Sequence, residues 1–110
     1  EICACLVGSE MCIRDSINSL PEAEKIDGYT VLQHMEKGEF DKILFKRWEK
    51  KVYEVYFQKN NRVFYITVDK ENIYLLHSCR KQKNKTEKKD ANIVRKRAKE
   101  LGNMLGRKFI

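Results

Sequence analysis

Apolar and β-branched residues crowd into three runs in the middle of the chain, Val52–Phe57, Arg62–Val68 and Ile73–Ser78, each dense in Val, Ile, Tyr and Phe. Turn-forming Lys59-Asn60-Asn61 and Asp69-Lys70-Glu71-Asn72 separate them. The pattern predicts an antiparallel meander of three strands. Upstream, Ala23, Ile26, Tyr29, Leu32 and Met35 recur at helical spacing behind Pro21, which suits a first helical turn, and acidic Glu22 and Glu24 sit near the positive N-terminal end. Gly38 stops this helix, and Gly28 inside it costs up to ~1 kcal/mol relative to alanine. Asp15–Leu20 reads as a short preceding helix. Phe40–Trp48 mixes large apolar and basic residues without clear period and reads as a connector that packs Ile43, Phe45 and Trp48 onto the core. Downstream, Ala91, Val94, Ala98, Leu101 and Leu105 form one apolar stripe on a helix with Thr86 as N-cap and Gly102 as its end.

These elements give an α+β chain, and 110 residues are enough for one domain with one modest core. Hydrophobic residues at 42% and a single proline fit a compact fold and not a disordered tail. The net charge is +7, but its distribution says more. Residues 80–110 carry twelve lysines and arginines against Glu87, Asp90 and Glu100, a local balance of +9 that leaves the remainder at −2. The C-terminal third is therefore a surface for a polyanion, with RNA the leading candidate. No apolar run approaches the ~20 residues needed to span a bilayer, so no membrane partner is expected and the cytoplasm is the default location.

Cys3, Cys5 and Cys12 crowd the first twelve residues and invite a metal or disulfide reading. However, Cys5-Leu-Val-Gly-Ser-Glu-Met-Cys-Ile-Arg-Asp-Ser16 resembles the translated read-through of a sequencing-library adapter. Residues 1–16 are accordingly set apart as an artefactual segment, and 17–110 form the domain. Cys79 then stands alone, as suits a reducing compartment. A genuine short strand at Ile2–Val7 is the alternative.

The segment His77-Ser-Cys-Arg-Lys-Gln-Lys-Asn-Lys-Thr86 leaves the third strand and enters the last helix, so cations converge where a sheet edge meets a helix N-terminus. Lys81, Lys83 and Lys85, flanked by Arg80, Lys88 and Lys89, suit backbone phosphates there, with a solvated basic linker as the bland reading. Arg62 opens the second strand, where its planar fork can meet a phosphate or simply lie in solvent. Glu54 and Tyr56 share a face by the period of two, with Tyr53, Val55 and Phe57 opposite; Tyr56 can stack on a base or pack across strands. His77 can move protons near neutral pH, yet it shares a face with Ile73 and Leu75, which favours a half-buried structural role. His34 needs no special role. There is no metal-ligand spacing, no glycine-rich phosphate loop and no Ser-His-Asp arrangement, so no metal or other cofactor is expected.

Tyr53-Glu-Val-Tyr56, Asn61-Arg-Val-Phe-Tyr65, Ile73-Tyr-Leu-Leu-His77 and Lys81-Gln-Lys-Asn-Lys-Thr86, in that order after a helix beginning Ser19-Leu-Pro-Glu22, resemble toxins of the bacterial RelE/ParE superfamily, nearest its HigB-like, phage-derived branch. The resemblance implies an N-terminal helical hairpin packed on a twisted antiparallel sheet, three strands here and four or more natively, followed by a C-terminal helix. It also implies a type II toxin–antitoxin toxin that cleaves mRNA on the ribosome, without metal, by attack of a ribose 2′-hydroxyl on the neighbouring phosphate. The implied partners are mRNA, the ribosome and a cognate helix-turn-helix antitoxin. By position, Arg62 matches a family arginine at the scissile phosphate, Lys81 and Lys85 match basic residues before the last helix, and Glu54 and His77 match common family residues. Tyr56 stands where relatives often carry a basic residue. The family's first strand is absent, its place taken by the adapter-like run, which would make the chain a defective copy. The expected catalytic set is Arg62, Lys81, Lys83, Tyr56 and His77, with Glu54, Arg80, Lys85, Lys88 and Lys89 binding RNA. A ParE-like inhibitor of DNA gyrase and a non-enzymatic nucleic-acid-binding module are the competing readings.

Overall fold

The computed structural model describes residues 2–3 by their backbone, together with 17–58, 60–67, 73–80 and 88–109. The elements in chain order are β1 (Ile2–Cys3), α1 (Glu22–Glu36), a 3-10 turn (Phe40–Lys42), β2 (Leu44–Glu49), β3 (Val52–Phe57), β4 (Asn61–Thr67), β5 (Ile73–Arg80) and α2 (Lys88–Leu105). Strands β2 to β5 form an antiparallel meander, and β1 adds a short parallel pairing of Ile2 with Ile73 and Cys3 with Tyr74, giving the sheet order β1-β5-β4-β3-β2. The fold is α+β, as the apolar pattern predicts, with one helix on each face of the sheet.

Strand alternation produces the two cores. Val55, Phe57, Val63, Tyr65, Ile73 and Leu75 point to one side and meet Leu32 and Met35 of α1, with Ile17 from the turn before it. Val52, Phe64, Ile66 and Leu76 point to the other and meet Val94, Ala98 and Leu101 of α2. Gly28 lies where α1 approaches the sheet most closely: a Cβ there would fall 2.9 Å from Ile17 and 3.1 Å from the Phe57 ring. Close packing therefore offsets the propensity this glycine costs the helix.

Four sequence expectations are corrected. Phe40–Trp48 is not a connector, since it contains the 3-10 turn and most of β2. That strand is the free edge of the sheet, so Leu44 through Arg47 are exposed in succession and leave no two-residue rhythm to read. Phe45 is 42% exposed, resting against Phe40 and Tyr53 and not buried in a core. Ile26 is 56% exposed, because the buried stripe of α1 runs through Gly28, Leu32 and Met35. Finally, α2 passes Gly102 and continues to Leu105, and it is Gly106, at φ +66°, that takes the left-handed position after its last residue. The expected N-cap Thr86 lies outside the described residues.

The remaining irregularity matters most for function. The β4–β5 register shifts between Phe64, opposite His77, and Tyr65, opposite Leu75, so Leu76 is an extra residue. From there on the alternation of β5 is inverted. His77 does not share the face of Ile73 and Leu75; it lies with Phe64 on the α2 side, as does Cys79 opposite Arg62. Ser78 and Arg80 turn toward α1.

Candidate functional site

Helix α2 packs on Val52, Phe64, Ile66 and Leu76, and further side chains of the same sheet face extend beyond these contacts. Side chains from all four antiparallel strands gather there: Lys46, Glu54, Tyr56, Arg62, His77 and Cys79. The β3–β4 turn fixes their registry by placing Tyr56 directly opposite Arg62, and Arg62 in turn lies opposite Cys79. The Arg62 guanidinium carbon stands 4.7 Å from the centre of the Tyr56 ring, a cation–π contact. Its Nε is 3.9 Å from Glu54 Oε1, and Lys46 Nζ is 3.4 Å from the same oxygen.

Glu54 is wholly buried, Arg62 is 14% exposed and Lys46 is 56% exposed. A carboxylate removed from water is stabilised by opposite charge, and here two cations supply it. Glu54 thus sits beneath Arg62 and Lys46 as their counter-charge and not at the surface as a contact for nucleic acid. Arg62, clamped between a ring and a carboxylate, is held in one orientation. On the opposite, α1 side of the sheet, a cleft of about 290 Å³ is lined by Ile17, Leu20, Phe57, Asn61, Ser78 and Arg80 and reaches the edges of Arg62 and Cys79.

Beside this group, His77 Nε2 lies 2.9 Å from Asp90 Oδ1 in the first turn of α2, and Arg97 Nη1 lies 3.4 Å from His77 Nδ1 while donating to the Leu76 carbonyl at 2.8 Å. Burial is the main influence on His77 and holds its pKa below the usual histidine value; Asp90 opposes that shift and Arg97 adds to it. The ring is therefore neutral at pH 7, and the tautomer that satisfies both neighbours carries its proton on Nε2. Both nitrogens are committed to protein groups.

Of the residues expected from sequence, Arg62, Tyr56, Glu54 and His77 are brought together on this face. Arg80 is on the other: it pairs with Glu24 of α1, which also accepts from Asn61 Nδ2 at 2.7 Å. The hydrogen bonds from Arg80 and Asn61 hold the Glu24 carboxyl below its ordinary pKa. Lys88 and Lys89 are exposed at the start of α2. Lys81, Lys83 and Lys85 lie outside the described residues. Lys46, Cys79, Asp90 and Arg97 were not singled out by the sequence; recognising β2 as a strand would have paired Lys46 with Glu54, but no short-range pattern marks the other three.

An open sheet with four antiparallel strands, a helix on either face and one of those helices C-terminal fits the RelE-like class of fold. A model of the phage-derived protein Gp49-like family (DUF891) matches residues 15–99, and the chain belongs to that family, which is related to the RelE/ParE toxin type. This membership is consistent with a toxin of a toxin–antitoxin system and suggests an antitoxin partner. No curated protein matches the chain. No helix among the described residues is long and apolar enough to cross a membrane.

Proposed function

We propose that this chain is the toxin of a bacterial type II toxin–antitoxin pair, of the HigB-like, phage-derived branch, and that it cleaves mRNA on the translating ribosome by a metal-independent route. The observation that carries the reading is the Arg62 guanidinium, fixed between the Tyr56 ring and the buried Glu54 carboxylate on the α2 face of the sheet. When a ribose 2′-hydroxyl attacks the adjacent phosphorus, its proton passes to water and a new O–P bond forms; the bond to the 5′-oxygen breaks, that oxygen takes a proton from solvent, and negative charge grows on the phosphorane in between. A planar cation held in place beforehand stabilises that charge with little reorganisation. Glu54 acts through Arg62 and Lys46 by orienting them. Tyr56 offers an aromatic surface to a base, and Lys81, Lys83, Lys85, Lys88 and Lys89 hold the RNA backbone in a salt-dependent way. His77, with both nitrogens engaged, fastens α2 to β5 and moves no proton. Arg80 positions α1. The partner is a helix-turn-helix antitoxin that masks the basic C-terminal third.

Induced expression in a bacterial host, with growth and transcript 5′ ends followed together, tests this. The expected result is growth arrest with new internal 5′ ends, both lost in Arg62→Ala. Unchanged growth and transcripts, with Arg62→Ala indistinguishable from the parent, would discard the reading. Loss of DNA supercoiling without new transcript ends would select gyrase inhibition instead.

A further inference from the structure

The Leu76 bulge assembles a second group of side chains beside the first. His77 and Cys79, two residues apart, share a face, and because β5 inverts its alternation at the bulge that face is the α2 side, where Asp90 in the first turn of α2 meets His77. One ligand-type atom from each of the three lies within 4.8 Å of the other two. We propose that His77, Cys79 and Asp90 form a binding site for zinc or a similar divalent transition metal, joining β5 to the start of α2.

The donor set selects the ion. An imidazole nitrogen and a thiolate suit zinc, whereas magnesium and calcium require oxygen ligands. Ligands of a tetrahedral zinc ion stand roughly 3.5 Å apart, so the group closes around the metal by a side-chain adjustment of about 1 Å, within the freedom of half-buried His77 and Cys79. Water completes the fourth position. Asp90 Oδ1 already stands 2.9 Å from the ring Nε2.

The protons balance as follows. On binding, the Cys79 thiol releases its proton to solvent, and the His77 ring proton moves from Nε2, now facing the metal, to Nδ1. The 3.4 Å approach of Arg97 to Nδ1 is given up, while its bond to the Leu76 carbonyl remains. Arg97, and Arg62 across the strand from Cys79, repel the incoming cation, and the negative charges of thiolate and Asp90 offset them. The site is independent of the RNA-cleavage reading and takes no part in its chemistry. Its consequence is structural: the metal pins together the two described ends, Arg80 and Lys88, that flank the lysine-rich segment.

Cobalt(II) is the probe, because tetrahedral cobalt bound to a thiolate gives intense visible bands and a sulfur-to-cobalt charge-transfer band. The N-terminal cysteines are removed first, by Cys3→Ser, Cys5→Ser and Cys12→Ser together in the full chain. This variant is expected to bind one cobalt with both signatures, zinc is expected to bleach them, and zinc is expected to raise its Tm. Adding Cys79→Ser removes the charge-transfer band, and adding Asp90→Asn weakens cobalt binding about tenfold or more, with circular dichroism confirming that each remains folded. A triple-serine variant without the bands, bands that survive Cys79→Ser, or a Tm indifferent to zinc would each overturn the proposal.

Discussion

The two faces of the sheet use the same chemistry to different ends. On the α1 side, Arg80 of β5 and Asn61 of β4 converge on Glu24 of a helix, and the group fastens helix to sheet at the surface. On the α2 side, Arg62 of β4 and Lys46 of β2 converge on Glu54, but the carboxylate belongs to the sheet itself and is wholly buried. In the first arrangement the carboxylate arrives from outside and occupies the arginine. In the second it supports the arginine from beneath, with the Tyr56 ring alongside. A cation becomes available to a ligand through the position of its counter-charge more than through its own exposure.

The sharpest break of that comparison is to remove each arginine in turn. Arg62→Ala is expected to lower RNA cleavage by roughly 100- to 1,000-fold, the usual loss when a preorganised group facing transition-state charge is deleted. Arg80→Ala is expected to leave cleavage within about threefold, since its surface pair with Glu24 lies on the other face and contributes little. Single-turnover cleavage of a translated message measures both. Equal losses would erase the distinction between the faces.

Next comes the buried carboxylate itself. Glu54→Ala strips two cations of their counter-charge and leaves a cavity in β3, and breaking a buried ion pair costs about 3–5 kcal/mol. Lys46 is more than half exposed and regains water, so about 3 kcal/mol is expected, read as a lower urea midpoint. Glu24→Ala on the other face is expected to move that midpoint far less, and comparable shifts would mean that burial does not separate the two carboxylates.

The sequence revealed part of this comparison and concealed the rest for identifiable reasons. Strands β3, β4 and β5 were legible because burial on both faces selects dense runs of Val, Ile, Tyr and Phe, and the stripe from Ala91 to Leu101 marked α2 by its period. Glu54 and Tyr56 were correctly placed on one face by counting in twos. Counting in twos along β5 misled, because a single extra residue at Leu76 leaves no mark in composition. Without it, His77 would stand on the face of Leu75, as the sequence implied, and Arg80 on that of Arg62. The bulge transfers Arg80 to α1 and gives His77 and Cys79 to the candidate site. β2 was missed because an exposed edge strand has no buried side to impose alternation.

Packing on the α1 side offers a smaller test. Gly28→Ala gains up to ~1 kcal/mol of helix propensity but drives a methyl group to 2.9 Å from Ile17 and 3.1 Å from the Phe57 ring. Overpacking of this kind costs ~1–3 kcal/mol, so a net loss of about 1 kcal/mol is expected in urea unfolding. Because Phe57 faces α1, on the opposite side of β3 from Glu54 and Tyr56, RNA cleavage by the folded fraction is expected to hold.

The smallest effect is the pH dependence of the Glu24 anchor, and its sign follows from linkage. Hydrogen bonds from Arg80 and Asn61 depress the folded-state pKa of Glu24 below its ordinary 4.5. The unfolded chain therefore binds the proton more readily, and the contribution to stability is present above 4.5 and is lost as pH falls through the lower, folded value. The urea midpoints of wild type and Glu24→Gln are expected to differ slightly near neutral pH and to converge in acid. Arg80→Ala is expected to bring the Glu24 carboxyl back toward 4.5 in an NMR titration while leaving the Arg62 face unperturbed. If the Arg62 and Tyr56 resonances shifted with it, the two sides of the sheet would be coupled through β4 and could not be treated as separate devices.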